Sequence, residues 1–193
     1  MFDYLQGKIT ELTPTYVVVD INGIGYLVHI SVNTYSALKP DVTDKLFIHQ
    51  IIREDAHLLF GFKNTKERDV FRMLISVSGI GANTARMILS SLLPEEIAQA
   101  ICTENIRVLQ NIKGIGAKTA QRMVIELKDK MAKIQVAGQN IISEYNTSSE
   151  EALSALVMLG FQKAQVDKTL AQITRENKGL SVEELIKMAL KVL

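Results

Sequence analysis

Ser78-Gly79-Ile80-Gly81-Ala82-Asn83-Thr84-Ala85 recurs 35 residues later as Lys113-Gly114-Ile115-Gly116-Ala117-Lys118-Thr119-Ala120. Six of the eight positions are identical. An apolar run of helical period precedes each copy, and another comes after it. A Gly-apolar-Gly turn between two helices leaves backbone N–H groups at the second helix's start, with no Cβ in the way. Such a start carries partial positive charge and accepts phosphate. The central Ile80 or Ile115 can pin the turn into a core. Thr84 and Thr119 can add hydroxyl donors, and Lys113, Lys118 and Arg122 add charge around the second turn. Two copies suit a ligand that offers phosphates repeatedly, as a nucleic-acid backbone does.

The residues around these turns exclude two nucleotide-site readings. A dinucleotide fingerprint needs a third glycine where Thr84 and Thr119 stand, and a strand before the turn. A P-loop needs glycine directly before its lysine and another five residues before that. Ala117 and Ile112 hold those places, so no ATP site is expected.

Working outward, residues 1–62 read as β structure. Strands are predicted over Tyr4–Leu12, Tyr16–Ile21, Gly25–Ile30, Leu46–Arg53 and His57–Phe62, with Asn22-Gly23 as a hairpin turn. Ser31–Pro40 reads as a connection with about one helical turn. Five strands in so short a segment suit an OB-fold barrel or, nearly as well, an SH3-like one. From Thr65 the period becomes helical. Helices are predicted up to Gly79, from Ala85, from Pro94-Glu95-Glu96, from Thr103 through Ile112, and over Ala117–Lys133. Residues 134–148 lose periodicity and read as a flexible linker. Three short helices then make a small bundle: Glu150–Leu159 capped by Ser148 or Ser149, Ala164–Thr174, and one opened by the capping box Ser181-Val182-Glu183-Glu184. The fold class is α+β and multidomain. Its domains are a barrel over 1–62, a tandem of hairpins over 63–133, a linker over 134–148 and a three-helix bundle over 149–193.

The net charge of +1 hides an asymmetry. Residues 1–62 carry four basic and seven acidic side chains, residues 63–140 twelve and seven, and residues 141–193 six and seven. The positive excess therefore sits on the segment with both glycine turns. No apolar run reaches the ~18 residues of a membrane span. The single Cys102 has no partner for an internal disulfide, and Met1-Phe2-Asp3-Tyr4 shows no basic region followed by an apolar core, so no secretion signal and a reduced cytoplasmic setting are expected. His29, His49 and His57 share no metal-ligand spacing, and no nucleophile triad is present. Neither a metal nor a cofactor is expected. Glu54 and Asp55 sit in a polar turn between two apolar strands, and from the residues alone they read as only that.

Jointly, several motifs resemble the RuvA family along essentially the whole chain. They are Asn22-Gly23-Ile24-Gly25-Tyr26, Arg53-Glu54-Asp55-Ala56-His57-Leu58-Leu59-Phe60-Gly61-Phe62, Glu67-Arg68, both hairpins, Glu126-Leu127-Lys128-Asp129 and Ala155-Leu156-Val157-Met158-Leu159-Gly160-Phe161. The resemblance implies an OB-fold barrel, two helix-hairpin-helix motifs and a mobile three-helix domain. It implies a homotetramer, at times an octamer on DNA, that holds a four-way Holliday junction open in recombination, DNA repair and the SOS response. It makes the chain a non-catalytic subunit beside the RuvB motor, which uses ATP and magnesium, with the RuvC resolvase as a further partner. Gly79, Gly81, Asn83, Thr84, Arg86, Lys113, Gly114, Gly116, Lys118, Thr119 and Arg122 would contact the DNA backbone. Glu54 and Asp55 would form an acidic pin at the crossover, and Leu156, Leu159, Phe161 and Leu190 would dock the motor. One departure stands out: Asn83 replaces a basic residue common in the first hairpin, and Arg86 lies one turn away. The first hairpin is therefore expected to grip more weakly. A repair glycosylase or nuclease, which would need a catalytic lysine or acidic cluster, and a protein-only adaptor are the rival readings.

Overall fold

The computed structural model describes residues 1–137, 144–177 and 179–193. It divides into two compact units, Met1–Ala137 and Gly138–Leu193. The first opens with five strands: β1 (Tyr4–Leu12), β2 (Tyr16–Ile21), β3 (Ile24–Ile30), β4 (Thr43–Ile52) and β5 (His57–Phe62). They close into a barrel in the order β1-β2-β3-β5-β4. All pairs are antiparallel except β3 with β5, where His29 and Ile30 face Phe60 and Gly61 in parallel. That ordering decides for the OB fold. Asn22 and Gly23 both have positive φ (53° and 86°), as a two-residue hairpin turn requires. Strand β4 begins three residues before the predicted Leu46, because Thr43, Asp44 and Lys45 pair with Lys8, Gly7 and Gln6 despite their polarity. The ladder overrides the apolar pattern there.

The barrel is filled by Leu5, Ile9, Val17, Val19, Val28, Ile30, Leu46 and Ile48. Strand β5 serves two cores by its period of two. Gly61 faces inward, where a Cβ would lie 2.5 Å from Val28 Cγ1. Phe60 and Phe62 face the opposite way and sandwich Phe71, with ring centroids 5.2 and 4.9 Å away. Phe71 lies on α2 (Thr65–Ile75), the first of the hairpin helices. The others are α3 (Ala82–Ser91), α4 (Pro94–Cys102), α5 (Ile106–Gln110) and α6 (Ala117–Ala137); α1 (Val32–Ser36) is the single turn between β3 and β4.

Polar contacts fix how the barrel meets these helices. Glu67, only 3% exposed, accepts from Ser31 Oγ and from Thr34 Oγ1 (2.7 Å) at the start of α1. Burial pushes the Glu67 carboxyl above its usual range, and hydrogen bonds from Ser31, Thr34 and the Lys63 backbone N–H oppose that rise. Asn33 Nδ2 donates to the Leu89 and Leu92 carbonyls at the end of α3 (2.6 and 3.2 Å). Arg68 Nη1 ties α2 to the Asp3 carbonyl and carboxylate (2.9 and 2.6 Å).

The second unit contains α7 (Glu144–Met158), α8 (Lys163–Glu176) and α9 (Val182–Ala189) around Ala152, Leu156, Val166, Leu170, Ile173, Leu185 and Ala189. The predicted capping box is present: Ser181 Oγ accepts from the Glu184 N–H, and the Glu184 carboxylate accepts from the Ser181 N–H. Helix α6 continues to Ala137 and α7 begins at Glu144, so Ser148 and Ser149 lie inside a helix and do not cap one. The centre of the expected 134–148 linker falls outside the described residues. No helix among the described residues is long and apolar enough to cross a membrane.

Candidate nucleic-acid interface

The two glycine turns have nearly the same geometry. Gly79 and Gly114 have φ of +93° and +90°, values that L side chains rarely adopt. Ile80 N–H and Ile115 N–H each donate back three residues at 3.0 Å, to Val77 and Ile112. Both isoleucines are buried in the helical core, as the repeat predicts. The carbonyls of Gly81 and Gly116 then accept from Ala85 and Ala120 at 2.9 Å, which starts α3 and α6.

Each turn leads into an open helix start. Helices α1, α2, α5 and α9 are capped by the side chains of Ser31, Asn64, Asn105 and Ser181. Helix α3 has no side-chain cap, since its cap residue is Gly81, and Gly116 likewise has no side chain with which to cap α6. A Cβ built on Gly81 or Gly116 meets nothing within 4 Å. The first-turn N–H groups therefore face unobstructed space, the arrangement that receives an anion. Asn83, Lys113 and Lys118 are exposed around these starts, and Thr84 and Thr119 are half-exposed.

Two arginines expected at the backbone are already engaged. Arg86 Nη1 donates to the Thr15 carbonyl at 2.8 Å, in the loop between β1 and β2. Partial burial there lowers the Arg86 pKa, while desolvation and the nearby Arg86 charge lower that of His29. Arg86 thus ties one guanidinium nitrogen to the barrel. Arg122 Nη1 donates to the Ser78 carbonyl at 3.0 Å, joining α6 to the first hairpin. Neither contact was read from the sequence, because a barrel loop and a turn carbonyl carry no side-chain signature.

Glu54 and Asp55 are exposed at the tip between β4 and β5, where the Arg53 N–H donates to the Ala56 carbonyl at 2.8 Å. Among the described residues neither carboxylate has a hydrogen bond or ion pair. No group of three or more His, Cys, Asp or Glu among those residues could hold a metal ion.

In the three-helix unit the expected docking residues separate. Leu159 and Leu190 are 62% and 46% exposed, and Phe161 is half-buried against the core. Leu156 is 0% exposed, so it cannot touch a partner directly; its helix phase points it between α8 and α9. Met158 and Val192 are more exposed than any of these and were missed by the sequence reading. Met158 is the last residue of α7, whereas Val192 lies past the end of α9.

Comparison with known proteins covers nearly the same ground. Residues 1–61 match the RuvA N terminal domain, 71–129 the SAM-like helix-hairpin-helix tandem, and 147–193 the RuvA C-terminal domain. The chain is 47% identical to the Holliday junction branch migration complex subunit RuvA of Christiangramia forsetii, over all of both chains. It is 49% identical to the protein of that name from Parabacteroides distasonis and 45% identical to that from Cytophaga hutchinsonii, again over all of each. With full-length identity of this order joined to the same barrel and paired hairpins, the chain belongs to the RuvA family.

Proposed function

We propose that this chain is a DNA-binding subunit that recognises four-way junction DNA by its phosphates and holds it open for branch migration. The observation that carries the reading is the pair of uncapped, glycine-entered helix starts, matched in backbone geometry and held in one compact unit. The name shared by the relatives supports the junction as the ligand. Gly79, Gly81, Asn83 and Thr84 form one grip, and Lys113, Gly114, Gly116, Lys118 and Thr119 the other. Contacts of this kind fix position without reading bases, so binding is independent of sequence and strongly dependent on salt. Glu54 and Asp55 act as a pin that repels phosphates at the crossover. The chain performs no catalysis. ATP and magnesium belong to a RuvB motor docked on Leu159, Phe161 and Leu190, with Leu156 supporting that surface from beneath. A homotetramer, doubled to an octamer on DNA, suits the fourfold ligand, with RuvC as a further partner in the cytoplasm. The division of labour follows residues 1–62, 63–133, 134–148 and 149–193.

The test is a competition gel shift of labelled four-way junction against linear duplex, over a salt series and without ATP. Retention of the junction complex in excess duplex is expected, with affinity falling log-linearly with salt. Equal competition by duplex would sink the junction reading and leave a general backbone binder.

A further inference from the structure

We propose that the two hairpins brace each other crosswise, and that Arg122 is a positioning residue for the first hairpin, not a phosphate ligand. Under the 35-residue offset, residue 87 is the counterpart of residue 122, and Gly79 that of Gly114. Each residue of the first pair reaches the opposite turn. Arg122, on α6, donates to the Ser78 carbonyl immediately before Gly79. Met87, on α3, lies against the second turn, its Cε 3.5 Å from where a Gly114 Cβ would be. The two contacts are related by the repeat but differ in chemistry, one a charge-assisted hydrogen bond and the other apolar packing.

The polar brace has a specific task. Among the described residues Arg122 is the only donor to the Ser78 carbonyl. That carbonyl sits where the chain turns through φ +93°, beside the open start of α3. An unpaired carbonyl there presents negative charge to an approaching phosphate and leaves the turn free to rotate. The guanidinium offsets the charge and holds the peptide plane. Glu126, four residues on and 3.8 Å from Arg122 Nε, helps aim the side chain from the same helix. The counterpart carbonyl of Lys113 has no such donor among the described residues; the second turn is met instead by the Met87 methyl at Gly114. Each turn is thus set by a helix of the other hairpin, so the distance between the two phosphate grips is built into the tandem itself.

Hydrogen exchange of the full chain without DNA tests the brace independently of function. Arg122→Ala is expected to speed exchange of the hydrogen-bonded Ile80 and Ala85 amides by roughly three- to tenfold, the loss of about one such hydrogen bond. Exchange at the counterpart Ile115 and Ala120 amides stays unchanged. Met87→Ala is expected to do the reverse. Barrel amides such as Val17, Val28 and Ile48 report that both variants are folded. Unchanged exchange at Ile80 and Ala85 in Arg122→Ala, or loosening confined to its own hairpin, overturns the proposal. The functional half rests on the DNA-binding reading above. There, Arg122→Ala should weaken junction binding roughly three- to tenfold while keeping the slope of log affinity against log salt; a slope reduced by about one phosphate contact makes Arg122 a ligand and overturns its positioning role. If the wild-type chain ignores junctions, the function fails while the crosswise exchange pattern still decides the brace.

Discussion

Gly79→Ala and Gly81→Ala separate folding from binding two residues apart. A Cβ at either position meets nothing within 4 Å, so the two substitutions do not differ in crowding. They differ in backbone: Gly79 has φ +93°, while Gly81 has φ −85° and ψ 170°, which any residue adopts. Alanine at position 79 therefore costs about 1–2 kcal/mol of conformational strain. The unit spans 137 residues, Met1–Ala137. At roughly 2.1 cal/mol/K per residue its unfolding entropy is about 0.29 kcal/mol/K, so the midpoint falls by about 3–7 °C. At position 81 alanine narrows the unfolded ensemble, worth about 0.4–1 kcal/mol, and loses a similar amount as a poorer helix cap than glycine. Its melting point is expected within about 2 °C of wild type. Its methyl group, however, stands at the mouth of the open helix start. Losing one charge-assisted phosphate contact costs about 1.5–3 kcal/mol, a loss of junction affinity on the order of tenfold or more. Calorimetry and fluorescence anisotropy with a labelled junction, at one fixed salt, read the two effects. Wild-type junction affinity in Gly81→Ala would refute the assignment of the helix start as the phosphate site, and an unshifted midpoint in Gly79→Ala would refute the strain argument.

The same geometry sets four further outcomes. Glu67 has a raised folded-state pKa, so its ionisation opposes folding: its full contribution is present below the ordinary carboxyl range and is lost as pH rises through the folded value. Glu67→Gln should remove that downward slope from the pH dependence of the melting temperature; an unchanged profile would show that Glu67 does not supply it. Glu54→Gln with Asp55→Asn, at exposed sites with no ion pair, should leave stability within about 0.5 kcal/mol while raising duplex affinity and reducing junction preference in competition gel shifts. Leu156→Ala should cost the three-helix unit about 2–5 kcal/mol and expose it to proteolysis, whereas Leu159→Ala should leave its digestion rate unchanged and weaken motor binding in a pull-down. Gly116→Asp should weaken junction binding more than Gly81→Asp, since Lys113 and Lys118 flank only the second start; equal losses would remove the asymmetry.

The hairpins were legible because their determinants are local. A glycine forced to positive φ, an isoleucine pinned beneath it and a second glycine opening a helix all fall within three residues, and the repeat displayed them twice. The barrel strands were legible for a similar reason: alternating residues at Tyr4–Leu12 and Tyr16–Ile21 fill an inner face. The choice between OB and SH3-like barrels was not, because it depends on β3 meeting β5 in parallel, a pairing between residues about thirty apart with no side-chain code. The first turns of the helix at Glu144–Met158, ahead of the predicted start at Glu150, were hidden by Asn146, Thr147, Ser148 and Ser149, which favour caps and turns when read locally. Arg86 and Arg122 looked like free cations because sequence shows charge, while their acceptors are the backbone carbonyls of Thr15 and Ser78.

The seam between barrel and hairpins explains why a buried carboxylate is tolerated at its centre. Phe60, Phe62 and Phe71 pack there, but apolar contact is non-directional and would permit several angles between β5 and α2. Glu67 accepting from Ser31 and Thr34, and Asn33 donating to the end of α3, are satisfied at one angle only. The barrel needs that angle because its β4–β5 strand pair carries Glu54 and Asp55 at one end and the phenylalanines at the other. A seam that slipped would move the acidic tip relative to both glycine turns. The desolvation that raises the Glu67 pKa is thus the cost of fixing the acidic tip and the two glycine turns in a single frame.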